Sequence, residues 1–283
     1  MTAIEELIKD IKVLKPIPQI ASQILTIVEN PNSSITDIAD IILYDPSTTA
    51  NILKMCNSAY FAQSREIDSV RDAISFLGID HIIDLVLLNS GAENLAQRQE
   101  GYGLHEGELW RQAVASALIA KDLAEKKGIG QKKHIIFTAA LLKDIGKVIL
   151  NQFVSDSFEK ITYQVEKKGL SFREAEKKII GIDHAELGGF VAKMWKFSPK
   201  MIFIITNHHL SNPKAHEDIE TSIVYLADTI CMMMGIGGGS DGLAYRFHKD
   251  VLDRLGINHS NLQEIIIRFG ERMQKVEELI QAV

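Results

Sequence analysis

Carboxylate and imidazole side chains occur at four places where the surrounding residues are apolar and helical. Asp144 lies in the segment LLKDIG, Asp228 lies in YLADT, and His184 begins a helical stretch. The pair His208-His209 closes another such stretch. An unpaired carboxylate is costly in apolar surroundings, and both side-chain types are metal ligands whose attraction for a cation grows where water is excluded. These positions are therefore candidates for a metal or phosphate site formed between helices.

A structural role is the alternative for each of these side chains. A single buried Asp or His is commonly satisfied by backbone groups or by a neighbouring helix cap. Spacing along the chain does not show whether the four positions meet in space. The residues by themselves therefore leave the metal site and the structural role open.

Helical periodicity runs through nearly the whole chain and predicts an all-α, multi-helix fold. Apolar residues follow i, i+3, i+4 spacing from residue 4 to residue 14, and similar patterns recur to the end of the sequence. Signals for β-strands are scarce. Residue types that favour helix starts stand at Asp45-Pro46, at Ser69 and at Ser171 with Glu174, and Gly78 is placed to end a helix.

Composition predicts three parts. The polar stretch 90–104 (SGAENLAQRQEGYGL) contains three glycines and predicts a junction after a helix that ends near Asn89. The segment 235–242 (GIGGGSDG) lacks the ending of a P-loop and is interpreted as a flexible connector. We predict an N-terminal helical lobe over 1–100, a second lobe over 101–235 and a helical extension over 236–283, which caps the domain or forms a homodimer face.

Charge and hydropathy narrow the classes of function. The 31 Lys and Arg residues against 37 Asp and Glu residues give a net charge of −6, which disfavours nucleic-acid binding. The two cysteines, Cys56 and Cys231, are too few for a disulfide framework and suit a reducing compartment. No apolar stretch approaches the roughly 18–20 residues that cross a bilayer, and the N-terminus lacks the pattern of a signal peptide. We expect a cytoplasmic protein with no membrane contact.

An ordered series of motifs resembles the HDOD domain, a signalling-associated branch of the HD superfamily of metal-dependent phosphohydrolases. The segment LLKDIGK at 141–147 is similar to the HD signature, which is normally written with His before the Asp. The resemblance covers about residues 10–230 and implies an HD-like helical bundle with an N-terminal helical lobe. The other matching segments are LKPIP (14–18), DP (45–46), ILKMCNSAY (52–60), IDSV (67–70), AI (73–74), LG (77–78), WRQ (110–112), HAELG (184–188), Trp195, HH (208–209) and AD (227–228).

Two positions depart from the metal-ligand set that this resemblance implies. Gln112 stands where active HD enzymes have a His, and Lys143 stands where they have the first residue of the His-Asp pair. A protonated ammonium group cannot ligate a metal and repels a nearby cation. The residues that remain as metal ligands by resemblance are Asp144, His184, His208 or His209, and Asp228.

Loss of two ligands and gain of a positive charge predict a remnant pocket without bound metal, cofactor or catalytic residues. Two roles are open for Lys143. Its ammonium group either pairs with Asp144 or Asp228 and neutralises a buried carboxylate, or it extends along the protein surface to solvent.

The resemblance with these departures implies a non-catalytic signalling or regulatory protein. Such a protein would act by binding signalling partners or a small nucleotide-like ligand. The alternative is a metal-dependent phosphohydrolase that acts on nucleotides or cyclic dinucleotides, which needs a divalent cation held by the surviving carboxylate and imidazole side chains.

Overall fold

The described part of the chain consists of α-helices and short 3-10 turns, which confirms the predicted all-α fold. The computed structural model describes residues 14, 18–29, 35–43, 45–61, 67–240, 242 and 247–282. The helix predicted over 4–14 lies outside these residues except for its last position. Within them there is no strand, and one isolated antiparallel β-bridge joins Gln99 to Leu104.

The described residues divide into two compact units, one within 18–92 and 267–282, the other formed by residue 14 and by residues within 93–266. The three-part division at residues 100 and 235 stays a prediction. The helices, in chain order, are α1 (Gln19–Glu29), α2 (Ile35–Leu43), α3 (Pro46–Cys56), α4 (Val70–Leu77), α5 (Ile79–Leu95), α6 (Glu108–Lys126), α7 (Lys133–Leu142), α8 (Ile145–Lys168), α9 (Phe172–Ile180), α10 (His184–Met194), α11 (Pro199–Asn207), α12 (Pro213–Glu217), α13 (Ile219–Met233), α14 (Asp250–Leu255) and α15 (His259–Ala282).

Helix boundaries follow the local signals in the sequence. The Asp45 carboxylate accepts a hydrogen bond from the Ser47 N–H at the start of α3. The Ser69 hydroxyl accepts one from the Asp72 backbone N–H at the start of α4. Ser171 and Glu174 form the reciprocal capping box before α9. These contacts satisfy N–H groups that have no partner within the first turn of a helix.

Helix α5 is longer than the sequence indicates, because it continues past Asn89 to Leu95. Within this polar stretch the Ser90 hydroxyl donates to the Leu87 carbonyl at 2.6 Å, so the helix itself satisfies a side chain that also favours turns. Leu95 is fully buried and holds the last turn in place. The polar junction therefore begins only after residue 95.

Glycines allow close helix contacts in the unit that includes residues 93–266. Helix α8 packs against α10, and a Cβ atom on Gly146 would lie 2.0 Å from the His184 carbonyl oxygen. Helix α10 packs against α11, and a Cβ on Gly189 would lie 2.0 Å from Thr206 Oγ1. A larger residue at Gly146 requires a shift of the α10 backbone, and one at Gly189 requires the Thr206 side chain to move, because a close-packed interior has no free space to take up the extra atom.

No single helix in the described ranges is long and apolar enough to cross a membrane. The pair Val70–Leu77 and Ile79–Leu95 reaches that length and composition only when the two helices are joined, and they are bent by 119°.

Replacing Gly146 by Ala should destabilise the protein by about 3 kcal/mol, because the new methyl group must displace the backbone of α10. The matched control is Gly130→Ala, where the nearest atom to a new Cβ is 3.9 Å away. The control should change the free energy of unfolding by less than about 0.5 kcal/mol. Urea unfolding of the two variants measures the difference, and equal values would contradict the close contact.

Candidate functional site

The structure brings together all seven side chains singled out from the sequence. Lys143 and Asp144 lie in the turn between α7 and α8, while Gln112 lies on α6 and Asp228 on α13. His184 begins α10, and His208 and His209 follow the end of α11. All are buried except His209, which is half-buried. The cluster joins the helices that form the centre of its unit.

The Lys143 ammonium group lies between two buried carboxylates. It contacts Asp144 Oδ2 directly and lies 2.7 Å from Asp228 Oδ1. The Lys143 side chain is only 1% exposed, so the alternative in which it reaches solvent is wrong. Burial alone lowers the pKa of Lys143, but the negative charges of Asp144 and Asp228 outweigh burial and raise it.

A second ammonium group completes the charge balance around Asp144. Lys147, three residues further along, places Nζ 3.1 Å from Asp144 Oδ1. Burial tends to raise the pKa of Asp144, but Lys143 and Lys147 outweigh burial and hold that pKa well below its usual range. Two ammonium groups therefore face the carboxylates of Asp144 and Asp228, and Asp144 remains ionised.

Gln112 acts as a hydrogen-bond donor within the cluster. Its Nε2 donates to Asp228 Oδ1 at 3.1 Å, while its Oε1 is buried and has no partner among the described residues. Gly237 covers this side chain, because a Cβ there would lie 2.5 Å from the Gln112 Cβ. Gly237 also has φ +68°, a backbone conformation that favours glycine. The glycine segment thus makes a close contact at Gly237, and its interpretation as a flexible connector stays a prediction.

A second hydrogen-bonded group centres on Glu176, whose carboxylate is fully buried. It accepts from the Tyr102 hydroxyl at 2.6 Å, from His184 Nδ1 at 2.7 Å and from the His184 backbone N–H at 3.2 Å. Burial lowers the pKa of His184, but Glu176 outweighs it and raises the pKa. His184 Nε2 lies 2.8 Å from His209 Nε2, and burial holds the pKa of His209 well below its usual range. His184 therefore donates to Glu176 through Nδ1, and the Nε2 atoms of His184 and His209 are joined by a single hydrogen bond.

His208 is neutral and keeps one free lone pair. Its Nδ1 donates to the Ile205 carbonyl oxygen at 2.7 Å, which leaves Nε2 as an acceptor. Burial lowers the pKa of His208 to about 3. Nε2 lies 3.8 Å from Asp144 Oδ1 and has no hydrogen-bond partner among the described residues.

Three residues of this network were not found by sequence reasoning, namely Glu176, Tyr102 and Lys147. A signal existed for Glu176, because Phe172, Ala175 and Glu176 share the buried face of α9 at helical spacing. Lys147 follows Asp144 by three residues, the spacing of neighbours on a helix surface. Tyr102 lies in the short turn Glu100–Tyr102, where periodicity gives no signal.

Comparison with known proteins identifies the family of the chain. The HDOD domain model matches residues 14–211, which is more than half of the sequence. The chain belongs to the HDOD family. A curated but uncharacterized protein of Treponema pallidum (strain Nichols) is 26% identical over 214 residues, and the match covers 75% of this chain. It spans only 41% of that protein's length.

Solved structures share the fold of this HDOD chain. The HDOD domain protein from Geobacter sulfurreducens has a TM-score of 0.72 at 24% identity, over 94% of this chain and 93% of that one. A "Putative signal transduction protein" from Marinobacter aquaeolei VT8 has a TM-score of 0.77 at 20% identity, over 99% and 65%. A "Putative phosphohydrolase" from Shewanella amazonensis SB2B has a TM-score of 0.69 at 20% identity, over 98% and 97%.

The residues of this pocket do not fit the divalent cation of the HD superfamily. Donor atoms of His184, His208 and His209 lie within 4.8 Å of one another, but the Nε2 atoms of His184 and His209 already share one proton in a 2.8 Å hydrogen bond. The carboxylate oxygens that would bind the cation already contact Lys143 and Lys147. A divalent ion placed at Asp144 would meet two fixed positive charges in a medium that screens them poorly.

Removing the positive charge of Lys143 should destabilise the protein strongly. Lys143→Met preserves most of the side-chain volume but leaves Asp144 and Asp228 without their shared partner, with an expected loss of about 3–5 kcal/mol. Lys143→Ala adds a cavity to the same loss. Lys160→Ala, at an exposed position of α8, is the control and should cost less than about 0.5 kcal/mol. Chemical denaturation measures all three, and a Lys143→Met variant as stable as the unaltered protein would show that the pairing contributes nothing.

The free energy of unfolding should decrease as the pH drops below about 6.5, the ordinary pKa of a histidine side chain. In the folded protein His208 stays neutral down to about pH 3, because burial lowers its pKa. In the unfolded chain the same side chain takes up a proton as the pH falls below about 6.5. This one group lowers the free energy of unfolding by on the order of 1.4 kcal/mol per pH unit across that window. His184 has the opposite effect, because its pKa is raised in the folded protein. Its contribution to the free energy of unfolding is fully present below about pH 6.5 and is lost as the pH rises through the pKa of the folded state.

Denaturation curves of the unaltered protein, His208→Gln and His105→Gln between pH 7.5 and 4.5 measure this slope. His105 is exposed and serves as the control. His208→Gln should flatten the slope, and an unchanged slope would contradict a neutral buried His208.

Proposed function

We propose that this HDOD chain is a non-catalytic regulatory module that acts by binding a signalling protein or a small nucleotide-like ligand. The position of the Lys143 ammonium group carries the proposal, because it bridges the Asp144 and Asp228 carboxylates. The ammonium group neutralises two buried carboxylates that would otherwise need a bound cation to balance their charge. The pocket then holds its charge balance with residues of the chain alone.

Hydrolysis of a phosphate ester in this superfamily depends on a cation that polarises a phosphoryl oxygen and lowers the pKa of a bound water. A lysine ammonium group supplies positive charge but has no open coordination position for water. The burial of Gln112, Lys143 and Asp144 also supports a structural role for the cluster. Binding by the surface of the module requires none of these groups to react.

A metal-dependent phosphohydrolase is the second candidate, and one observation favours it. His208 Nε2 has a free lone pair close to the imidazoles of His184 and His209. These three side chains would need to lose the proton shared by His184 and His209 before they could hold an ion. Competition between that proton and the ion makes any such binding dependent on pH.

The proposed partners follow from the comparisons only by analogy. One structural relative is named a putative signal transduction protein, and the matched region spans less than half of the Treponema pallidum relative. Both observations suit a module that works together with other protein segments. A cytoplasmic location, a homodimer and the absence of nucleic-acid or membrane binding belong to the same proposal.

Manganese binding and phosphate release test the two candidates together. Mn²⁺ suits carboxylate ligands. His216 and His248 are replaced by Ala in every chain measured, so that the second group of imidazoles cannot hold the ion and Mn²⁺ reports on the Asp144 and Asp228 pocket. With Gln112 and Lys143 intact, this chain should retain less than about 0.1 ion after dialysis, about a tenth of the stoichiometry of one intact site. It should also release no phosphate from nucleotides or cyclic dinucleotides. Saturable binding of one of these compounds without turnover would support a small-ligand role.

The variant that restores both ligands, Gln112→His with Lys143→His, should take up Mn²⁺. Gln112→His alone is the matched control, because it adds one ligand but keeps the ammonium group, and it should stay free of metal. Stoichiometric Mn²⁺ in the chain that lacks His216 and His248 but keeps Gln112 and Lys143, or phosphate release that a chelator abolishes, would overturn the non-catalytic proposal.

A further inference from the structure

A second group of metal-ligating side chains lies outside the pocket described above. His216 lies on α12, His248 precedes α14, and Asp250 is the first residue of α14. One ligand atom from each of these three residues lies within 4.8 Å of the other two. We propose that His216, His248 and Asp250 form a surface site for a divalent transition-metal ion such as Zn²⁺. This inference does not depend on the proposed function.

The distances within this group approach those of a tetrahedral metal centre. Zinc bonds to imidazole nitrogen and carboxylate oxygen at about 2.0–2.2 Å, so adjacent ligand atoms around it are separated by about 3.4 Å. His216 Nδ1 and Asp250 Oδ2 already lie 3.4 Å apart, too far for a strong hydrogen bond between them. The His216 and His248 ring centroids are 4.8 Å apart and nearly perpendicular, and one ligand atom of His248 lies within 4.8 Å of the ligand atoms of the other two residues.

The backbone around two of these ligands is held by buried neighbours. The His248 N–H donates to the Tyr225 hydroxyl at 3.0 Å, and the His248 ring lies against the buried Tyr225 ring with centroids 5.4 Å apart. On the other side, Asn212 caps α12 through the Lys214 N–H, and Ala215 is fully buried. Ligands held before the metal arrives lose little conformational freedom on binding, which favours affinity.

Access and donor chemistry define the class of ion. The Asp250 side chain is 53% exposed and the His216 side chain 25%, so an ion can enter directly from solvent. Two imidazoles and one carboxylate suit zinc and its neighbours in the first transition row, with water in the fourth position. A bound ion would connect α12 to the start of α14.

One cation in the protein competes for this position. Arg254 Nη2 lies 3.6 Å from Asp250 Oδ2, so its guanidinium group partly neutralises the ligand and repels an incoming ion. Removing that charge should strengthen metal binding. Arg254 therefore supplies a variant whose effect is opposite in sign to that of removing a ligand.

Titration calorimetry of the full chain with Zn²⁺ at pH 7.5 tests the site. His216→Ala and His248→Ala should each weaken Zn²⁺ binding at least tenfold, and Asp250→Asn should weaken it while preserving the side-chain shape. Arg254→Gln should strengthen binding several-fold. His105→Ala, which removes an exposed imidazole elsewhere in the same unit, should leave the affinity unchanged.

Two results would overturn the inference. One is Zn²⁺ affinity that survives the combined His216→Ala and His248→Ala change, and the other is loss of binding with His209→Ala instead, which would place the ion in the buried pocket. The second result would also count against the non-catalytic proposal, whereas the first leaves that proposal intact. Thermal unfolding adds an independent readout, since a site specific for the folded state raises the Tm of the unaltered protein but not that of the double variant.

Discussion

The ammonium group of Lys143 lies between the carboxylates of Asp144 and Asp228, and the surrounding helices are arranged around that contact. Transfer of two carboxylates from water into the interior costs several kcal/mol each unless opposite charge lies close by. Lys143 and Lys147 provide that charge from the turn between α7 and α8 and from the first turn of α8. Gln112 extends the contact to α6 through its hydrogen bond to Asp228. One charge-neutral group thus ties together three parts of the chain that are distant in sequence.

A second buried group depends on Glu176 and determines how α10 begins. Its carboxylate accepts the backbone N–H and the ring N–H of His184, so it fixes both the helix start and the orientation of the imidazole. Tyr102 supplies the third donor from a different segment. The approach of these elements requires glycine at Gly146, because its Cα lies against the His184 carbonyl group. Close packing and charge pairing are therefore linked, since a larger residue there would separate α8 from the start of α10 and disturb both.

The sequence predicted the local features of this fold well because their causes are local. The caps at Asp45, Ser69 and Ser171 depend on residues within one turn, and the structure has each of them. The resemblance to the HDOD domain identified the buried Asp and His positions, although their contacts are not local. The sequence left two roles open for Lys143, pairing with a buried carboxylate or reaching solvent. The choice between them depends on Asp228, which lies 85 positions further along the chain. Glu176, Tyr102 and the contact of Gly237 with Gln112 also arise from tertiary packing, so periodicity alone could not reveal them.

A cation that is part of the chain differs physically from one that is bound from solution. A bound ion neutralises buried carboxylates, orients a phosphate and activates water, but only while it remains bound and only at sufficient free concentration. A lysine performs the first of these tasks and neither requires nor responds to free metal. Under the proposed function the central pocket would therefore keep its structure at any metal concentration, and a binding surface supported by it would remain constant. Dependence on metal would be confined to the segment between α12 and α14, where the three candidate ligands are accessible to solvent.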